Sequence, residues 1–78
     1  MKELFLMMMN RHFKNCMFMP VMIEEAFRKM FGQNITIVDN EPFESNIHKY
    51  HINNVAVVEF RLNPETRFIN EVNVYDVK

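Results

Sequence analysis

The chain has 78 residues, nine of them Lys or Arg and ten Asp or Glu, for a net charge of −1. So short a chain supports one hydrophobic core, and its charge balance excludes the strongly basic or acidic character that would by itself dictate a nucleic-acid or acidic-substrate partner. A single cysteine, Cys16, excludes an internal disulfide, so a metal, a partner subunit or close packing must stabilise the core, and a lone thiol fits a reducing, intracellular (cytoplasmic) setting.

The opening segment, Glu3 to Phe18, carries apolar pairs at Leu4/Phe5, Met8/Met9, His12/Phe13 and Cys16/Met17, a helical rhythm, and its residue types favour helix. Leu4 to Met9 is also a continuous apolar run, so a buried strand is the alternative for this segment. This run and Cys16 to Ile23 are the longest of their kind, well short of the ~20 residues that cross a bilayer. The first is also too short for a usual signal-peptide core of about 7 to 15 residues. A second helix is expected from Pro20 to Phe31, where Pro20 suits the first turn, Met22/Ile23, Ala26/Phe27 and Met30/Phe31 repeat the rhythm, and Gly32 follows as a C-terminal stop. Glu24 with Arg28 and Glu25 with Lys29 are spaced as surface ion pairs.

Beyond Gly32 no methionine occurs, and Val, Ile and Thr alternate with polar residues at the period of a strand. Strands are expected at Ile35 to Asp39, Ile47 to Ile52, Val55 to Leu62 and Phe68 to Val77. Loops fall at Asn40 to Asn46, at Asn53-Asn54 as a two-residue hairpin turn, and at Asn63-Pro64-Glu65-Thr66. For the last hairpin, burial selects the register that pairs Leu62 with Phe68, Phe60 with Asn70, Val58 with Val72 and Ala56 with Val74, because the slipped alternative buries Glu71. The expected fold is α+β, a single small domain of two N-terminal helices packed on one face of an antiparallel sheet of about four strands.

Candidate chemistry is sparse. A two-residue turn at Asn53-Asn54 sets His48 opposite Glu59, and the chosen register sets Glu59 opposite Glu71. Those three would form a row in which a protonated His48 relieves two carboxylates, either on a solvated face or as a metal or acid-base site. His12 and Cys16 share a helical face, a spacing open to a thiol-imidazole pair or a metal, yet the paired short spacings of a structural zinc site are missing. One serine and one glycine leave no nucleophile elbow or phosphate loop, so no catalysis, cofactor or metal is expected. Lys2, Arg11 and Lys14 interleaved with Phe5 and Phe13 are the nearest approach to a nucleic-acid stripe.

The methionines are the remaining lead. All eight lie at or before Met30, and with the phenylalanines they exceed what one sheet face can cover. Phe5, Met8, Met9, Phe13, Met17, Met22, Phe27 and Met30 are therefore the candidate partner-binding residues, for a protein partner or a second copy in a homodimer. A small nucleic-acid-binding protein using the basic N-terminal segment, or a metal-binding module, is the alternative, and a membrane surface is a further, weaker one. In this general look, a short Asn- and Met-rich α+β chain is similar to small accessory proteins of bacteriophages that bind and modulate host proteins. That resemblance implies an inhibitor or modulator.

Overall fold

In the computed structural model, which describes residues 2–78, the N-terminal apolar rhythm becomes two helices, α1 (Lys2–Phe13) and α2 (Pro20–Phe31). The alternating half forms β1 (Ile37–Asp39), β2 (Ile47–Ile52), β3 (Ala56–Leu62) and β4 (Ile69–Tyr75). The four strands make one antiparallel sheet in the order β1-β2-β3-β4, and both helices cover the same face, α1 lying over β4. The fold is α+β, as its two residue chemistries imply.

Helix α2 has the expected bounds. Pro20 sits in its first turn, where the missing N–H removes no helical hydrogen bond, and the Gly32 amide closes the last turn on the Arg28 carbonyl at 3.0 Å. Helix α1 stops at Phe13 instead of running to Phe18. Asn15 adopts a left-handed φ of 71°, a conformation asparagine tolerates, and the chain then pairs with the start of β4. The Asn15 amide donates to the Ile69 carbonyl, Ile69 to Cys16, and Phe18 to Arg67, all within 3.0 Å, with Met17 bridged to Phe68. Long-range backbone bonds thus override a local preference for more helix, and they cover part of the β4 edge.

The hairpins depart from expectation in register. The β2–β3 loop takes three residues, since Ile52 pairs with Ala56, and Asn54 supplies the left-handed φ of 61°. His48 therefore stands opposite Phe60 and points inward with Tyr50 and Ile52, while Lys49 faces Glu59 on the open side. A two-residue turn would have set the inward side chains of β2 against Val55, Val57 and Glu59; one more loop residue sets them against Ala56, Val58 and Phe60. In the β3–β4 hairpin Val72 and Val74 face inward as expected, but the pairing is shifted along β4, by two residues at Val58 and Phe60 and by one at Leu62, so that Ile69 is buried while Phe68 and Asn70, expected on the inward face, are exposed. Val58 meets Val74, Phe60 meets Val72, and a bulge between Arg61 and Leu62 lets Leu62 meet Ile69. Arg67, at φ 66°, takes the left-handed position of that loop, and the Asn63 side chain caps the amides of Glu65 and Thr66. Strand β1 is shorter than Ile35 to Asp39, and β4 ends at Tyr75, before a left-handed Asp76 at φ 50°.

Aromatic rings fill the centre. Phe13 of α1 and Phe27 of α2 meet edge to face at 5.4 Å, and both reach Phe60 of β3; Phe27 also meets Tyr50 of β2 at 5.8 Å. Such pairs contribute about 0.5–1.5 kcal/mol each beyond their buried area. Met9 packs among the fully buried side chains with Ile69 and Val72. Among the described residues no helix is long and apolar enough to cross a membrane.

Candidate functional site

The outward faces of the helical layer are strongly apolar. Leu4, Met7, Met8, Met17, Met19, Val21 and Met22 are all exposed, from 42% at Met8 to 70% at Val21. Two apolar hollows lie among them. One, of about 560 Å³, runs beside the first turns of α1, between Leu4, Met7, Met8 and the C-terminal Val77, with Arg11 and Lys78 at its edge. The other, of about 430 Å³, lies between the end of α1 and α2, walled by Met17, Met19, Met22 and Met30, with His12, Glu25 and Lys29 at its edge. The first turn of α2 has no side-chain cap, because Met19 stands where a Ser, Thr or Asp would be, so this end presents apolar surface instead of a polar capping group.

The eight residues singled out from sequence divide. Met8, Met17 and Met22 are exposed, and Phe5 and Met30 are half-buried at the hollows. Met9, Phe13 and Phe27 are interior and hold the helices to the sheet, so they leave the candidate surface. Sequence periodicity could not separate these sets, because the apolar positions of α1 continue around the helix. Leu4, Met7, Met19 and Val21 are exposed members that the sequence reading left out.

The buried polar chemistry lies at the other end of β2. His48 is 1% exposed and stacks on Phe18 with ring centroids 4.3 Å apart. Its Nδ1 lies 2.7 Å from Asp39 Oδ2, and its Nε2 lies 2.9 Å from the Ser45 carbonyl. That carbonyl only accepts, so Nε2 donates to it. Arg67 closes the same loop from outside: its guanidinium donates to the carbonyls of Phe43, Glu44 and Ser45 and to Asn46 Oδ1, and it lies over the rings of Phe43 and Phe18. Every one of its protein acceptors is neutral. Arg67 carried no sequence signal, since it reaches a loop distant along the chain, and Asp39 was read only as a strand end although it closes the loop that follows it onto His48.

The expected row of His48, Glu59 and Glu71 does not form. Glu59 lies on the open face opposite Lys49 and Asn73, and Glu71 lies opposite Arg61. Although on the uncovered side of the sheet, Glu59 is only 3% exposed, walled in by its neighbours. Its Oε1 accepts from Asn73 at 3.2 Å, Arg61 at 3.2 Å and Tyr75 at 3.4 Å. Burial alone raises the carboxyl pKa, but the Asn73 and Arg61 hydrogen bonds, the Arg61 charge and Tyr75 together outweigh it and bring the group below its ordinary value. His12 and Cys16 do not pair either: the thiol points at the His12 carbonyl at 3.6 Å, and the imidazole packs edge-on against Phe13. Among the described residues no group of three or more His, Cys, Asp or Glu side chains is placed to hold a metal ion. The basic-aromatic stripe also breaks up, since Phe13 is interior and Phe5 stacks on Phe31 at 5.6 Å.

No family model, curated protein or solved structure matches this chain.

Proposed function

We propose that this protein is a non-catalytic interaction module whose methionine-rich helical surface binds a protein partner and modulates it. The observation that carries this reading is the set of seven large apolar side chains, each at least 42% exposed, around two apolar hollows. Apolar surface on this scale is costly to leave in water, and flexible, polarizable methionines suit a surface that adapts to its partner. Charge at the edges narrows the partner. Arg11 and Lys78 flank the first hollow, while Lys29 and Glu25 balance at the second, so the partner segment that fits the first hollow is amphipathic, apolar with acidic flanks. A nucleic-acid partner is disfavoured because Phe5 and Phe13 are not free to stack on bases.

Affinity capture with three versions of the protein tests this. Met7→Glu/Met22→Glu alters two exposed positions on the helical surface; His51→Glu alters an exposed position on the open sheet face. Both variants should stay folded, since exposed substitutions change stability by about 0.5 kcal/mol or less. A protein partner captured by the wild type and by His51→Glu, but lost by the double variant, is the expected result. Capture that survives the double variant and is lost in His51→Glu would move the function to the sheet. Light scattering on the same samples identifies a second copy as the partner if a wild-type dimer becomes a monomer in the double variant.

A further inference from the structure

A second site lies between the first turns of α2 and the β1–β2 end of the sheet. A cleft of about 420 Å³ opens there, walled by Pro20, Ile37, Val38 and Phe43 and edged by three carboxylates, Glu24, Asp39 and Glu41. Tyr50 lies in its floor. This residue is 1% exposed, yet its hydroxyl has no hydrogen-bond partner among the described residues. No fully enclosed polar atom among the described residues is left unpaired, so the hydroxyl keeps its opening to solvent through the cleft. A buried tyrosine usually places its hydroxyl on a protein partner, and here the space in front of it is lined by acids instead. Burial, then the charges of Asp39 and Glu24, raise the Tyr50 pKa, so the hydroxyl stays protonated and the local potential is negative.

The nearby nitrogen donors are already engaged. Arg28 lies 3.5 Å from Glu24, and the His48 ring is held by Asp39 and Ser45. The Glu41 backbone amide donates to Asp39 Oδ1 at 3.0 Å, which fixes the edge of the cleft, while the Glu41 side chain has no ion pair among the described residues. We infer that this cleft binds an alkylammonium or guanidinium group, its N–H donors taken by Glu41, Asp39 and the Tyr50 hydroxyl oxygen and its alkyl chain lying along Pro20, Val38 and Phe43. The same chemistry comes from two sources, a Lys or Arg side chain on a protein partner or a free polyamine.

Titration of the ¹⁵N-labelled full chain with agmatine, putrescine and the peptide acetyl-Gly-Arg-Gly-amide, at constant ionic strength, tests the site. Saturable shifts confined to residues around Glu41, Asp39, His48 and Tyr50, with a Kd of about 1 mM for agmatine, are expected for a fragment making one charged and one or two neutral contacts. Tyr50→Phe keeps the ring and removes only the hydroxyl, and should weaken binding about three- to tenfold. Glu41→Gln, at an exposed position, should weaken it about fivefold or more, whereas Glu71→Gln on the open sheet face should leave it unchanged. Tighter binding of the peptide assigns the site to a partner's side chain, and tighter binding of putrescine assigns it to a free polyamine. Shifts that stay linear to about ten times that concentration, that match those from sodium chloride, or that persist undiminished in both cleft variants would overturn the inference.

Discussion

Breaking the Asp39–His48 contact tests whether the β1–β2 loop is held from within the core. The 2.7 Å separation is at the short end of the charge-assisted range, and the imidazole is 1% exposed while the Asp39 side chain keeps 17% of its surface. Asp39→Ala leaves an enclosed ring nitrogen with no hydrogen-bond partner, which costs about 1–3 kcal/mol, and it removes a weaker, exposed bond to the Glu41 amide. His48→Phe keeps the stack on Phe18 and removes both nitrogens; water can then reach Asp39, and the Ser45 carbonyl retains Arg67 at 3.0 Å. The double variant should therefore lose less than the sum of the single losses. With a discount for the partial exposure of Asp39, a coupling of about 1–2 kcal/mol is expected. Urea unfolding reads it directly, since a domain of this size has an m-value near 1 kcal/mol/M and the coupling then appears as about 1–2 M in the combined midpoints. A coupling below about 0.5 kcal/mol, the ordinary scatter of additive sites, would refute the view that this pair anchors the loop.

Neighbouring methionines should behave oppositely. Met9→Ala empties a fully buried position and should cost about 2–5 kcal/mol, whereas Met8→Ala, at 42% exposure, should change stability by no more than about 0.5 kcal/mol; equal losses in urea titrations would mean that α1 is rotated from its described facing. The acid limb of the stability profile should report Glu59. Because its carboxyl pKa is lowered on folding, its stabilisation is complete above the unfolded value near about 4.3 and is lost as pH falls through the lower folded value. Glu59→Gln should thus be less stable than the wild type at neutral pH, with the gap narrowing below about pH 4; a gap that widens toward acid would contradict the hydrogen-bond account.

Where sequence sufficed, the cause was a strong local signal backed by burial. Helix α2 has Pro20 and Gly32 as punctuation, and β2 lies between the turn residues Ser45-Asn46 and Asn53-Asn54, so both have their expected bounds. Where it fell short, the deciding contact came from far along the chain. Nothing near Cys16 announces that Ile69 and Arg67 will take the backbone of residues 15 to 18 out of the helix. The inward facing of Val72 and Val74 was legible because parity follows burial. The shift in pairing, and the burial of Ile69 in place of Phe68, were not, because the Arg61/Leu62 bulge changes the parity at the start of β4 and no local residue announces it. The candidate surface was half legible for a related reason: composition shows an apolar surplus, but Met8 and Met9 are the same residue type and only three-dimensional facing sorts them.

With no disulfide to close it, this small core depends on two substitutes. The first is the ring cluster of Phe13, Phe27, Tyr50 and Phe60, which ties both helices to the two central strands. The second is Arg67, which accepts a left-handed backbone, at a cost of about 1 kcal/mol or more, in a position that brings one guanidinium to four acceptors of the β1–β2 loop. Together they fix Phe43, Ser45 and His48 without drawing on the outer helical side chains. The exposed methionines are therefore surplus to the fold's own stabilisation, and replacing several with charge should leave the core intact. A surface that the core does not need, yet that stays apolar over both helices, is what a protein-binding face requires.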